Sequence, residues 1–204
     1  MSYPVALHVA GRRCVVVGGG AIAACKAQAL LDADASVFVV APELSAPLTA
    51  LAAAGTITVA QRRFEPTDLD DAWLVISATD NPEVAQSVAD AANVRRVWCN
   101  AAELPEVGSF SSAKVVRQGD ITVTVSTGGQ SPAFASWLAQ RLAGELGPEY
   151  AQVCDLLAEH RAALQAEGQP TDTVDWQQAL DGAMFDLVRA GRLDDAREML
   201  RTCR

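Results

Sequence analysis

Arg13-Cys14-Val15-Val16-Val17-Gly18-Gly19-Gly20-Ala21-Ile22-Ala23-Ala24 is the stretch that decides the fold. Its β-branched run at 15–17 reads as a strand buried on both faces, the mark of a parallel sheet. Three glycines follow, and the chain passes at once into a helical pattern carried by Ala24, Ala27, Gln28, Leu30 and Leu31. Gly18 permits a tight turn, Gly20 admits a pyrophosphate close to the backbone, and Ala23 allows a helix to pack tightly on the strand. The free N–H groups of the helix start would cradle the phosphates. A second apolar run, residues 37–40, stands where β2 belongs. Strand, glycine turn, helix and strand together predict a dinucleotide site made by Gly18, Gly19, Gly20, Ala21, Ile22 and Ala23.

The rhythm continues outward. Residues 57–60, 74–77 and 97–99 read as strands, and 21–31, 46–54 and 82–92 as helices. Pro82 suits a first helical turn, Asn81 can cap it, and Gly55 can close the helix before it. This alternation predicts an α/β fold with a Rossmann-type parallel sheet and helices on both faces. Past Asn100 the pattern changes. Residues 110–116 and 121–126 read as β segments joined by a turn at 117–120, with Ile121, Val123 and Val125 alternating against Thr122, Thr124 and Ser126. A glycine-rich hinge at 127–132 leads into a helix over 133–146 whose apolar positions include Phe134, Trp137, Leu138 and Leu142. Three more helical stretches, 149–166, 173–190 and 193–201, form the tail. No internal repeat is visible.

Composition bounds the function. The chain has 204 residues, half of them hydrophobic, and 16 basic against 25 acidic residues, a net charge of −9. That balance argues against generic nucleic-acid binding. No segment reads as a signal peptide or a membrane span, and the five cysteines are an odd number without paired spacing. Cys14 and Cys99 read as reduced core residues, so the expectation is a cytoplasmic protein that engages neither membrane nor nucleic acid. His8 and His160 belong to no HExxH or Cys/His cluster, and no metal site is expected. Tyr150 precedes Cys154 where short-chain dehydrogenase chemistry needs Lys, and neither Ser109 nor Ser131 sits in a GxSxG elbow.

Other residues extend the cofactor reading. Glu43 lies just beyond β2, where an acidic side chain accepts from a ribose hydroxyl; it could equally cap the next helix. Residues 33–60 hold no Arg or Lys to meet a 2′-phosphate, which favours NAD over NADP. Thr79 and Asp80 follow the fourth strand at its carboxyl end, as cofactor contacts or as helix caps.

The chain resembles the siroheme-synthase N-terminal family, the NAD-dependent precorrin-2 dehydrogenases, some of which also chelate iron. The resemblance rests on residues 11–20, Val39-Val40-Ala41-Pro42, Ser77-Ala78-Thr79-Asp80, Cys99-Asn100, Ser109-Phe110 and, most diagnostic, Val125-Ser126-Thr127-Gly128-Gly129-Gln130-Ser131-Pro132. It implies NAD as cofactor, a tetrapyrrole substrate held between domains, and a homodimer. The implied layout is a Rossmann domain over 1–113, a mixed β/α dimerisation region over 114–146 and a small helical domain over 147–204. Several family positions differ here: Cys25 for Arg, Ala85 for Asn, Ser136 for Arg, Ala113-Lys114 for Pro-Ala, and Glu103 for the Asp considered catalytic.

Glu103 is the candidate catalytic carboxylate. It would accept a proton as a hydride leaves the macrocycle, or bind a pyrrole nitrogen; the alternative is a solvated loop residue before Pro105. Asn100, Ser126, Thr127, Gly128, Gly129 and Ser131 are candidate substrate residues, the glycine turn serving as a nest for a carboxylate or only shaping the crossover. Lys114, Arg117 and Arg141 could offset the acidity of the chain around a polycarboxylate, or simply form a solvated face. The function expected is NAD-dependent oxidation of precorrin-2 to sirohydrochlorin. The alternatives are a non-catalytic tetrapyrrole- or nucleotide-binding paralogue, and a sirohydrochlorin metallochelatase.

Overall fold

Val15 and Val16 are wholly buried at the centre of a sheet, and Val17 nearly so, as a β-branched run in a central parallel strand should be. The computed structural model describes residues 2–171 and 174–203. The chain forms two compact units, Ser2–Ser112 and Ala113–Arg204. In the first, β1 (Arg13–Val17), α1 (Ala21–Leu31), β2 (Ser36–Val40), α2 (Ala46–Ala53), β3 (Thr58–Ala60), β4 (Leu74–Ser77), α3 (Pro82–Arg95) and β5 (Trp98–Ala101) alternate. All five strands run parallel in the order β3-β2-β1-β4-β5. Strand order reverses between β1 and β4, and the carboxyl edge at that point is where open α/β sheets bind ligands.

Each face of the sheet has its own core. Cys14, Val16, Val37, Val39, Leu74 and Ile76 meet Ala23, Ala27 and Leu30 of α1 and Leu48 of α2. On the other face Val15, Val17, Val75 and Cys99 meet Val88, Ala89 and Ala92 of α3, with Leu69 from the 3-10 turn Pro66–Leu69. Small residues on α1 and α3 let the helices lie close to the strands. Burial pushes the thiols of Cys14 and Cys99 up to about 11, so both stay protonated and inert. All five cysteines are free.

One charged group is buried here. Asp68 is 4% exposed, and its carboxylate accepts two bonds from Arg62, at 2.6 and 2.9 Å, and one from the Glu65 N–H at 2.8 Å. Arg13 donates to the Asp68 carbonyl at 3.2 Å. Burial acts to raise the Asp68 pKa, but the bonds from Arg62 and the Glu65 N–H, with the charges of Arg62 and Arg13, outweigh it and hold it low. At the amino edge, each strand is entered through a residue in the left-handed region: Gly11, Asp34, Gly55, Asp71 and Arg96, with φ between 57° and 70°. Arg96 ends α3, which runs three residues further than the pattern suggests.

In the second unit β6 (Lys114–Gln118) and β7 (Ile121–Val125) form an antiparallel hairpin. The turn is narrower than expected: Arg117 and Gln118 pair with Thr122 and Ile121, leaving Gly119-Asp120 as the connection, with Gly119 at φ 57°. Residues 110–113 are not strand. Phe110 instead packs on the core of the first unit. Helix α4 (Pro132–Glu145) sets Ala135 and Ala139 against Val116 and Val125. A separate core of Val153, Leu156, Met184, Val188 and Leu200 unites α5 (Pro148–Ala166), α6 (Trp176–Asp181), α7 (Met184–Arg189) and α8 (Leu193–Thr202). The helix expected over 173–190 begins at Thr173, outside the described residues. The rest of it is two helices, because the backbone turns extended at Gly182, with ψ −148°. Among the described residues no helix is long and apolar enough to cross a membrane.

Candidate active site

The glycine turn is fixed by what surrounds it. The Gly18 N–H continues the ladder by donating to Val40 O at 2.9 Å, and the Gly19 carbonyl accepts from Ser45 N–H at 2.8 Å. A Cβ on Gly18 would fall on the Ala78 carbonyl, and one on Gly19 on the Glu43 carbonyl. Gly18 also has φ 128°, a conformation closed to L side chains. Gly20 differs: a Cβ there would meet nothing within 4 Å, so its exposed side faces open space. Gly20 begins α1, whose first turn carries no acidic residue and, among the described residues, no side-chain cap. Its free N–H groups are therefore available to an anion. Ala21 and Ile22 are exposed beside it, and Ala23 is wholly buried against the core, the close-packing role expected of it. A cradle whose first two positions only glycine can fill, ending in an uncapped helix, fits a pyrophosphate.

The neighbouring residues divide between bracing and reach. Ser45, not Glu43, begins α2, which leaves the exposed Glu43 side chain free of the capping role. Asn81 caps α3 through Glu83 N–H at 2.9 Å and Val84 N–H at 3.2 Å. Thr79 Oγ1 accepts from Asn81 N–H at 3.2 Å, so its own proton remains free to donate, and Asp80 stays exposed. Neither Thr79 nor Asp80 is the cap.

Backbone contacts lead from the cradle to Glu103. Gly18 abuts Ala78, Ala78 N–H donates to Val17 O at 2.8 Å, and Ala102 N–H donates to Ser77 O at 2.9 Å. Glu103 thus stands just past the carboxyl edge of β5, exposed, on the same rim as the glycine turn. Asn100 is only 6% exposed; its Nδ2 donates to Phe110 O at 3.0 Å, and its Oδ1 is buried with no partner among the described residues. Ser109, which the sequence offers as part of a motif but with no role at the site, braces this edge. Its Oγ accepts from Cys99 N–H at 2.8 Å, a bond between residues ten apart that no local pattern reveals.

The second unit holds the remaining candidates. Thr127 is committed internally: its Oγ1 donates to Ser131 O at 3.2 Å and accepts from Ser131 N–H at 3.1 Å. Ser126 Oγ accepts from Gly128 N–H and Ser131 Oγ from Phe134 N–H, each at 3.2 Å, so both hydroxyl protons remain free to donate. Gly128 and Gly129 have φ of 63° and 83°, with open space at each. The basic residues do not form one patch: Lys114 and Arg117 are three apart in β6 and point to opposite faces of the hairpin. Arg141 is exposed on α4, its guanidinium 6.0 Å from the Trp137 ring, which stacks on Phe134 at 5.7 Å. His8 is exposed, and His160 meets the Trp176 ring edge-on at 5.8 Å.

Comparison with known proteins agrees with this geometry. The NAD(P)-binding family profile NAD_binding_7 matches residues 5–114. Siroheme synthase of Thioalkalivibrio sulfidiphilus is 34% identical over 200 residues, which are 97% of this chain and 41% of that protein. Siroheme synthase of Salmonella paratyphi A is 35% identical over 164 residues, 80% of this chain and 36% of that protein. The chain therefore spans about two fifths of the length of the curated relatives it matches. Among solved structures, SirC, a precorrin-2 dehydrogenase, superposes with a TM-score of 0.76 at 25% identity, covering 98% of each chain. The chain is a homologue of the siroheme synthases and belongs to the NAD_binding_7 family of NAD(P)-binding domains.

Proposed function

We propose that the chain oxidises precorrin-2 to sirohydrochlorin, with NAD as the oxidant. The observation that carries this reading is the shared rim of glycine cradle and Glu103, joined through Ala78, Ser77 and Ala102. Its relatives are named for siroheme synthesis, and its structural neighbour for precorrin-2 oxidation. Bound NAD supplies the hydride acceptor. Glu103 takes the proton lost from the adjacent macrocycle position, while Thr79 and Asp80 contact the cofactor. Glu43 accepts from the ribose, and the lack of Arg or Lys over 33–60 supports NAD over NADP. Ser126, Gly129 and Ser131 offer donors to substrate carboxylates, with Gly128 shaping the turn and Arg141 on the helix that follows.

In this reading residues 1–113 are the Rossmann domain, 114–146 a dimerisation region and 147–204 a helical domain. The hairpin supports a homodimer: among the described residues its two strands pair only with each other, and Val115, Phe134 and Trp137 of the same unit are exposed, the last two at 53% each. Free cysteines throughout suit the cytoplasm.

The test is anaerobic: supply precorrin-2 with NAD and follow NADH together with the sirohydrochlorin spectrum. Expected is NAD-dependent product, with kcat lowered about 10²- to 10⁴-fold in Glu103→Gln, the range for losing a general base. Gly20→Asp should abolish NAD binding by titration. Metal insertion without NAD would favour a chelatase. Tight tetrapyrrole binding with neither reaction would favour a carrier, a reading supported by Ala85, Glu103 and Ser136 standing where the family has other residues.

A further inference from the structure

We infer that Ser109, Gly108 and Asn100 are positioning residues that set the reach of Glu103, an inference that rests on Glu103 being the reacting carboxylate. β5 is an edge strand, so the outward N–H and C=O of Cys99 have no neighbouring strand to pair with. The returning chain supplies the missing partner. Ser109 N–H donates to Cys99 O at 2.7 Å and Phe110 N–H to the same oxygen at 3.1 Å. Ser109 Oγ accepts the Cys99 N–H and donates to Cys99 O at 3.4 Å. One side chain thereby imitates a strand residue.

Asn100 closes the staple from the other side of the strand, its amide held on Phe110 O. Being buried, Asn100 acts through the loop and not by touching the macrocycle. Gly108 completes the seat: a Cβ there would lie 3.1 Å from both Ala101 N and Cys99 O, tighter than ordinary van der Waals contact. The loop 102–108 is consequently anchored at both ends. It departs at Ala102, bonded to Ser77 of β4, and returns at Gly108 and Ser109, seated on β5. Between them lies a short 3-10 turn, Pro105–Val107, closed by Val107 N–H on Leu104 O at 3.2 Å.

Glu103 is the first residue after the departing anchor. Its longer arm, compared with the Asp of the family, extends from a loop with little slack. Errors in placing a reacting group on the order of 1 Å cost about 10²-fold in rate. The staple is the part of this chain that limits such errors, and it lies outside both the cofactor cradle and the substrate turn.

The experiment uses the full chain with Ser109→Ala, Gly108→Ala and Ser109→Thr. Ser109 is exposed, so removing its hydroxyl leaves the core intact. Two measurements are made: amide hydrogen exchange over 101–110, and steady-state oxidation of precorrin-2 with NAD. Expected are faster exchange across the loop and kcat lowered about 10- to 100-fold in Ser109→Ala and Gly108→Ala, with the KM for NAD unchanged and Ser109→Thr restoring both. Unchanged exchange in Ser109→Ala overturns the staple. Faster exchange with wild-type kcat, while Glu103→Gln is inactive, overturns the positioning role and leaves the catalytic assignment standing. Full activity in Glu103→Gln overturns the assignment itself, and the positioning role with it.

Discussion

Two glycine turns, one in each unit, make opposite uses of the same residue. At Gly18 and Gly19 the absent side chain is a contact: a Cβ would enter the Ala78 and Glu43 carbonyls. At Gly128 and Gly129 glycine serves only the backbone angle, since open space surrounds both. The first turn is determined by the sheet packed around it, and the second by its own hydrogen bonds among Ser126, Thr127 and Ser131. The turn proposed to hold the cofactor is thus built into the fold's core, while the turn proposed to meet the substrate is built from local side-chain bonds.

Substitution can break this contrast. The largest effect is expected from Gly18→Ala, which combines a forbidden φ with overlap on a backbone carbonyl; a loss above about 4 kcal/mol should unfold the first unit. Trp73 and Trp98 report on that unit, and Trp137 and Trp176 on the other, so fluorescence in paired Trp→Phe backgrounds resolves which one melts in urea. Arg62→Ala should come next, because it takes two hydrogen bonds and the paired charge from the buried Asp68 carboxylate and leaves it the Glu65 N–H. That carboxylate has a folded pKa below its ordinary value of 3.8. The stability it contributes is complete above that ordinary value and disappears as pH falls through the lower folded one. The urea midpoint of the first unit should drop over that acid interval, and Arg62→Ala should flatten the drop. Gly128→Ala should be mildest, about 1 kcal/mol for a left-handed L residue with no collision. If it unfolds the second unit as Gly18→Ala does the first, the contrast is wrong.

The fold of the first unit was legible because its signals are local. A β-branched run, three glycines and small helix residues lie within a dozen positions, and α1 and β4 begin and end where the pattern placed them. The glycine cradle was legible for the same reason. What escaped depends on pairs distant in sequence. The bond from Cys99 to Ser109, and the burial that turns Asn100 inward, follow from β5 lying at a sheet edge, which strand order decides. Lys114 and Arg117 look like neighbours in sequence, and only the strand period separates their faces. The break at Gly182 was hidden by helix-forming residues on both sides, since a lone glycine is tolerated in many helices.

The left-handed residues ahead of every strand of the parallel sheet have a practical meaning for anyone redesigning this protein. Two of the five entrances, Gly11 and Gly55, already use the residue that adopts the angle freely; Asp34, Asp71 and Arg96 hold it with ordinary side chains. Aspartate tolerates that angle better than arginine does, so Arg96 is the entrance with most to release. All five stand at the amino edge, opposite the rim proposed to carry the chemistry. The scaffold can therefore be hardened from below, one entrance at a time, while the rim is left free for changes in what it binds.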